Sequence, residues 1–92
     1  QLDKAQTLLT NLINSKRRAK ITLNHYTERM NECEKMLEAN EGLRKVSEEV
    51  YLVNKKIYED NMRDYKKFAN RTEVEIENIE RKIEEVREKY CL

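Results

Sequence analysis

One glycine, Gly42, and no proline interrupt this chain of 92 residues. Those two residue types are the strongest local breaks in a polypeptide. A chain nearly free of them has little with which to make strand turns or a loop-lined pocket. What it can make is long helix. The composition agrees: 40% of the residues are Asp, Glu, Lys or Arg and 38% are hydrophobic, the balance of long helices that each bury one stripe. Apolar runs are only a few residues long, as at Tyr51-Leu52-Val53, too short for a transmembrane span or a signal-peptide core. The length allows one small domain at most. Because the sequence begins with Gln1 rather than Met, residues 1–92 read as a single segment of a longer protein.

Apolar residues recur every three and four positions, which places them on one face of a helix. In the first third, Leu2, Leu9, Lys16, Leu23, Met30 and Leu37 alternate with Ala5, Leu12, Ala19, Tyr26 and Cys33. Lys16 is the one charged residue on that stripe, with an alkyl stem able to reach out to water. The middle runs on a shifted register: Leu43, Val50 and Ile57 with Ala39, Val46 and Val53. The last third shifts again, to Met62, Ala69, Ile76, Ile83 and Tyr90 with Tyr58, Tyr65, Thr72, Ile79 and Val86.

The shifts have two readings. In one, a single helix runs throughout and its seam drifts. In the other, a helix over about 1–39 ends at a turn, 40–42, and a second helix runs over about 43–91. Glycine is favoured just past a helix end, the register fails at Gly42, and Asn40 and Ser47 would fall on a continued first seam. The hairpin is therefore preferred, though one glycine inside a helix costs only about 1 kcal/mol.

Charge favours an antiparallel arrangement. Residues 1–25 carry five basic and one acidic side chain, 26–50 four and seven, 51–72 six and three, and 73–92 four and seven. The sign alternates block by block, so antiparallel pairing sets opposite blocks together and parallel pairing sets like blocks together. Each exposed pair contributes only about 0.2–1 kcal/mol, so this is a bias of direction.

The expected fold is all-α: long amphipathic helices in an antiparallel coiled coil. Two helices bury one stripe each and gain little alone. The middle, with Tyr51, Leu52, Val53, Ile57 and Tyr58, carries more apolar surface than a two-stranded seam uses. That surplus predicts further assembly, as a dimer or a four-helix bundle. The residues expected to carry the contact are Leu9, Leu12, Leu23, Leu37, Leu43, Val46, Val50, Val53, Ile57, Tyr58, Tyr65, Ile76, Ile79, Ile83 and Val86. Tyr51, Tyr58 and Tyr65, seven apart, read as a packing stripe.

Little in the sequence supports an enzyme. His25 is the only histidine, and it falls beside the stripe, where it would be solvated. No phosphate-binding glycine motif, HExxH or CxxC occurs. The glutamates alternate with Lys and Arg at helical spacing, as solvated ion-pair faces do. No metal, cofactor or small-molecule substrate is expected. Cys33 and Cys91 have neither metal nor redox spacing and are read as reduced thiols, which points to the cytoplasm, with the nucleus as the second choice. Asn70-Arg71-Thr72 matches the glycosylation triplet, but within a charged helical stretch.

Lys16, Arg17, Arg18 and Lys20 form the sharpest local feature, a candidate anion-binding patch. As a helix they spread around the axis, and no basic region leads directly into a zipper, which disfavours nucleic acid. An anionic membrane surface is a secondary possibility. Leu, Glu and Lys at helical spacing are common to many unrelated rods and single out no family. The functional expectation is a non-catalytic scaffold segment that holds copies of a larger protein, or a complex, in fixed orientation. The alternatives are the membrane-surface module and an adaptor that folds with a partner helix.

Overall fold

A computed structural model describes residues 2–91. Two long helices pack as a hairpin: α1 (Leu2–Asn40) and α2 (Glu48–Tyr90), joined through a 3-10 turn over Glu41–Leu43. There is no strand among the described residues. The hairpin form decides between the two readings of the sequence. α2 suits its own dipole, with Glu48 and Glu49 in its first turn and Arg87 and Lys89 in its last. α1 has Asp3 in its first turn and no basic residue in its last.

The turn differs from the one expected. α1 continues through Asn40, and the link extends to Ser47, so α2 starts five residues later than predicted. Gly42 does not adopt a positive φ, so it is not the left-handed helix cap that its identity suggested. It sits inside the 3-10 turn, and a Cβ built there would meet nothing within 4 Å. The real stop is made by backbone bonds. The Arg44 amide donates to the Glu41 carbonyl at 3.2 Å, and the Ser47 amide to the Leu43 carbonyl at 2.8 Å. Ser47 then caps α2: its hydroxyl accepts from the Val50 amide at 3.4 Å, an N-cap position followed by acidic residues. Ser47-Glu48-Glu49 was the legible start signal.

The chain forms two compact units, each pairing a stretch of α1 with a stretch of α2. The open-end unit comprises residues 1–23 and 70–92, and the turn-end unit residues 24–69. In the open-end unit, Ala19, Ile76, Ile79 and Ile83 are buried together, with Leu9, Leu12 and Leu23 packed against them. Ala5, Thr72 and Val86 are buried as well. The small Ala19 among three isoleucines lets large side chains of one helix fill the space over a small one of the other. Leu2 lies on the same predicted stripe but is 52% exposed.

In the turn-end unit the interior has a different chemistry. Cys33, Asn40, Tyr51 and Ala69 are buried, and Tyr26, Met30, Leu37, Tyr58, Met62 and Tyr65 are half-buried. Here the predicted middle register needs correction. Val46, Val50, Val53 and Ile57 are 79%, 47%, 55% and 48% exposed, and Leu43 is 37% exposed. Ala39, on the same register, is exposed too. The face turned toward α1 is instead Tyr51, Asn54 and Tyr58, of which Tyr51 and Tyr58 continue the last-third register back to the start of α2 while Asn54 replaces Lys55 beside them. The physical reason is the placement of the turn. Once α2 starts at Glu48 with Tyr51 closing against Asn40, Val50, Val53 and Ile57 lie roughly 100° around the helix from the inner face, since successive residues turn by about 100°.

Candidate functional site: an outer apolar stripe beside a polar closure

The closure of the hairpin is built from Asn40, Glu41, Tyr51 and Asn54. The Asn40 side-chain amide donates to the Tyr51 carbonyl at 2.9 Å, and Asn54 donates to the Asn40 side-chain oxygen at 3.2 Å. The Tyr51 hydroxyl donates to the Glu41 carboxylate at 3.0 Å. Asn40 and Tyr51 are each 4% exposed, so these bonds satisfy groups that would otherwise be costly to bury. No buried side-chain nitrogen or oxygen among the described residues lacks a partner. The Arg44 guanidinium and the Lys55 ammonium lie 5.5 and 5.9 Å from the Tyr51 ring centre, within cation–π range.

Further along the same unit, aromatic contacts replace aliphatic ones. The Tyr26 ring lies 5.6 Å from Phe68 and 6.4 Å from Tyr65. The Arg29 guanidinium sits 5.6 Å from the centre of the Tyr65 ring. Interaction with the Tyr65 side chain, and after it the Glu32 carboxylate, pushes the Arg29 guanidinium up from its ordinary value. An arginine is already charged at every working pH, so this contact gives no pH switch.

Outside this interior lies the stripe that the sequence singled out. Val50, Val53 and Ile57 follow each other at three- and four-residue spacing on one side of α2, and Val46 precedes them in the turn. All four are exposed. The stripe stops at Asp60 and Asp64, the next residues on that side. Other contact residues lie elsewhere: Leu9, Leu12, Leu23, Ile76, Ile79, Ile83 and Val86 in the open-end interior, and Leu37, Tyr58 and Tyr65 in the turn-end interior. Among the expected contact residues, the turn and the stripe alone leave large aliphatic surface in solvent.

The basic patch does not gather on one face. Lys16 is on the inner seam, its ammonium 3.9 Å from Glu80 on α2, with the two side chains 30% and 51% exposed. Arg18 donates to the Ser15 hydroxyl at 3.2 Å. Arg17 and Lys20 are exposed. Lys16–Glu80 joins an arm of the basic first block to one of the acidic last block, whereas the pairs Arg29–Glu32, Lys56–Asp60, Arg63–Asp60 and Arg87–Glu84 run along single helices. Among the described residues no three His, Cys, Asp or Glu side chains converge on one point, and His25 is exposed beside Tyr26. Cys33 is a buried free thiol and Cys91 an exposed one. Asn70 is exposed within α2, with Thr72 of its triplet buried. Neither described helix is long and apolar enough to cross a membrane.

These features define the molecule as an all-α helical hairpin with a filled inner seam and a second, outward apolar stripe. Comparison of the chain with protein-family models, curated proteins and solved structures finds no match.

Proposed function

We propose that this hairpin is a non-catalytic assembly segment, which holds copies of the protein carrying it in a fixed orientation. The observation that supports the reading is the outward stripe Val46, Val50, Val53 and Ile57. The inner seam already has its partner in the other arm, and these four aliphatic side chains leave about half or more of their surface in solvent. Isolated exposed apolar residues are ordinary, but a contiguous row at helical spacing is the mark of an interaction face. In this reading the seam within the hairpin is coiled-coil packing, the stripe supplies affinity between chains, and neighbouring charges supply direction.

Light scattering across a concentration series tests it. The chain has a mass of 11.2 kDa. A mass that rises above this value with concentration is expected, as is its return to the single-chain value in Val50→Glu with Ile57→Glu at unchanged helicity. If the chain keeps the mass of one copy at every concentration and is fully helical, self-assembly is the wrong reading. If it is poorly helical alone and folds only with another polypeptide, the adaptor reading replaces it.

A further inference from the structure

Resting on that assembly reading, we infer that the outer stripe pairs with the same stripe of a second copy, with the two α2 helices antiparallel about a twofold axis between Val50 and Val53. The apolar positions set the register. In an antiparallel pair, a residue of one chain and its opposite number have positions that sum to a constant. A sum of 103 places Val50 opposite Val53, and brings Val46, in the turn just before α2, to the level of Ile57. Both layers then recur on the other side of the axis, so all four aliphatic residues meet aliphatic residues. That self-complementarity is what a twofold interface requires.

The flanking charges agree. Glu49 and Lys56 occupy equivalent positions at one edge of the stripe, seven residues apart and opposite in sign. Antiparallel pairing about the same axis brings Glu49 beside Lys56 of the second copy, and Lys56 beside Glu49 of the second copy. Parallel pairing would set these residues beside Asn54 and Asn61 of the second copy, with no charge to meet. Lys56 is 80% exposed in its side chain and lies 3.6 Å from Asp60 on its own helix, so it can be shared at an edge without leaving water. Complementary edge charges set orientation in helix pairs of this kind. Asp60 and Asp64 end the stripe and limit the contact. Its helical part, Val50 to Ile57, covers only about 10 Å of α2 at about 1.5 Å per residue, with Val46 in the turn before it. A contact that short is smaller than a standard stable interface, so the association is weak and concentration-dependent.

Cysteine cross-linking separates this geometry from its rivals. In the full chain with Cys91→Ser, one preparation carries Val46→Cys and another carries Ile57→Cys. The antiparallel pair predicts disulfide-linked dimers when the two are mixed and oxidised, and few from either alone. Linked dimers from each preparation alone, at the yield of the mixture, would mean parallel pairing and overturn the inference while leaving self-assembly intact. Charge reversal gives a second readout by sedimentation equilibrium. Glu49→Lys or Lys56→Glu alone should weaken association about tenfold, since attraction becomes repulsion at both symmetric edges, and the two together should restore it. Single reversals without effect would also overturn the pairing. A wild-type chain that stays monomeric and helical at every concentration would sink both this geometry and the assembly reading beneath it.

Discussion

The two units of the hairpin use one helix pairing but fill it differently. The open end buries an aliphatic cluster, Ala19, Ile76, Ile79 and Ile83, with Thr72 as its buried polar residue. The turn end buries Asn40 and Tyr51, held by directed hydrogen bonds, and leaves Val50, Val53 and Ile57 outside. An aliphatic seam supplies stability without direction, because any apolar side chain of similar size satisfies it. A buried amide tolerates only the arrangement that pairs it. The open end thus supplies cohesion and the turn end directed closure; both expose aliphatic residues, but at the turn end Val50, Val53 and Ile57 form one row on α2.

The largest expected effect comes from placing charge at each end of the hairpin in turn. Ile79→Glu with Ile83→Glu should abolish the helical far-UV circular dichroism of the chain near neutral pH. Removing one buried isoleucine costs about 2–5 kcal/mol, against a total stability of only about 0.05–0.15 kcal/mol per residue. The matched pair Val50→Glu and Ile57→Glu should keep that signal. Equal loss in both would mean that the outer stripe is interior after all.

Next in size is the polar closure. Asn40→Ala removes the donor to the Tyr51 carbonyl and strands the Asn54 amide, and should cost about 1–3 kcal/mol in urea denaturation. A gain in stability would show that the buried amide is not needed to close the turn. Tyr51→Phe, which loses only the bond to Glu41, should cost about 0.5–1.5 kcal/mol.

Capping should follow. Ser47→Ala is expected to cost about 0.5–1 kcal/mol, the lower part of the usual range for an N-cap because its bond is long. No change in thermal midpoint would move the start of α2 away from Glu48.

The smallest effect sharpens the account of the turn. Gly42→Ala should be neutral or stabilise by up to about 1 kcal/mol, because the glycine has no positive φ and a methyl group meets open space. A clear loss of stability would restore the glycine cap that the sequence first suggested.

The pattern of residues carried the open end almost completely. The run from Leu9 through Leu23 and the run from Ile76 through Val86 both lie on the interior that their three- and four-residue spacing implied. Spacing is sufficient there because a single apolar stripe on each arm competes for the inner face, with Lys16 and Thr72 the polar residues on it. The turn end was less legible. It carries two apolar stripes on one helix, a tyrosine stripe and an aliphatic one, and hydropathy ranks the aliphatic one higher. What decides between them is the hydrogen-bonding of Asn40, which periodicity counts as a defect on the stripe. Gly42 misled for a similar reason: a glycine permits a left-handed cap but does not require one. Ser47 followed by two glutamates was a mechanistic start signal, and it lay five residues beyond the glycine.

Asn40 also fixes the register of the two arms where they meet the turn. In a sevenfold repeat, sliding one helix past the other by a single heptad, about 10.5 Å at 1.5 Å per residue, leaves greasy layers facing greasy layers and changes little. The amide of Asn40 has no such freedom, because its donor must find one particular carbonyl. It acts as the zero mark on a sliding scale, fixing which layer of one arm stands against which layer of the other at this end.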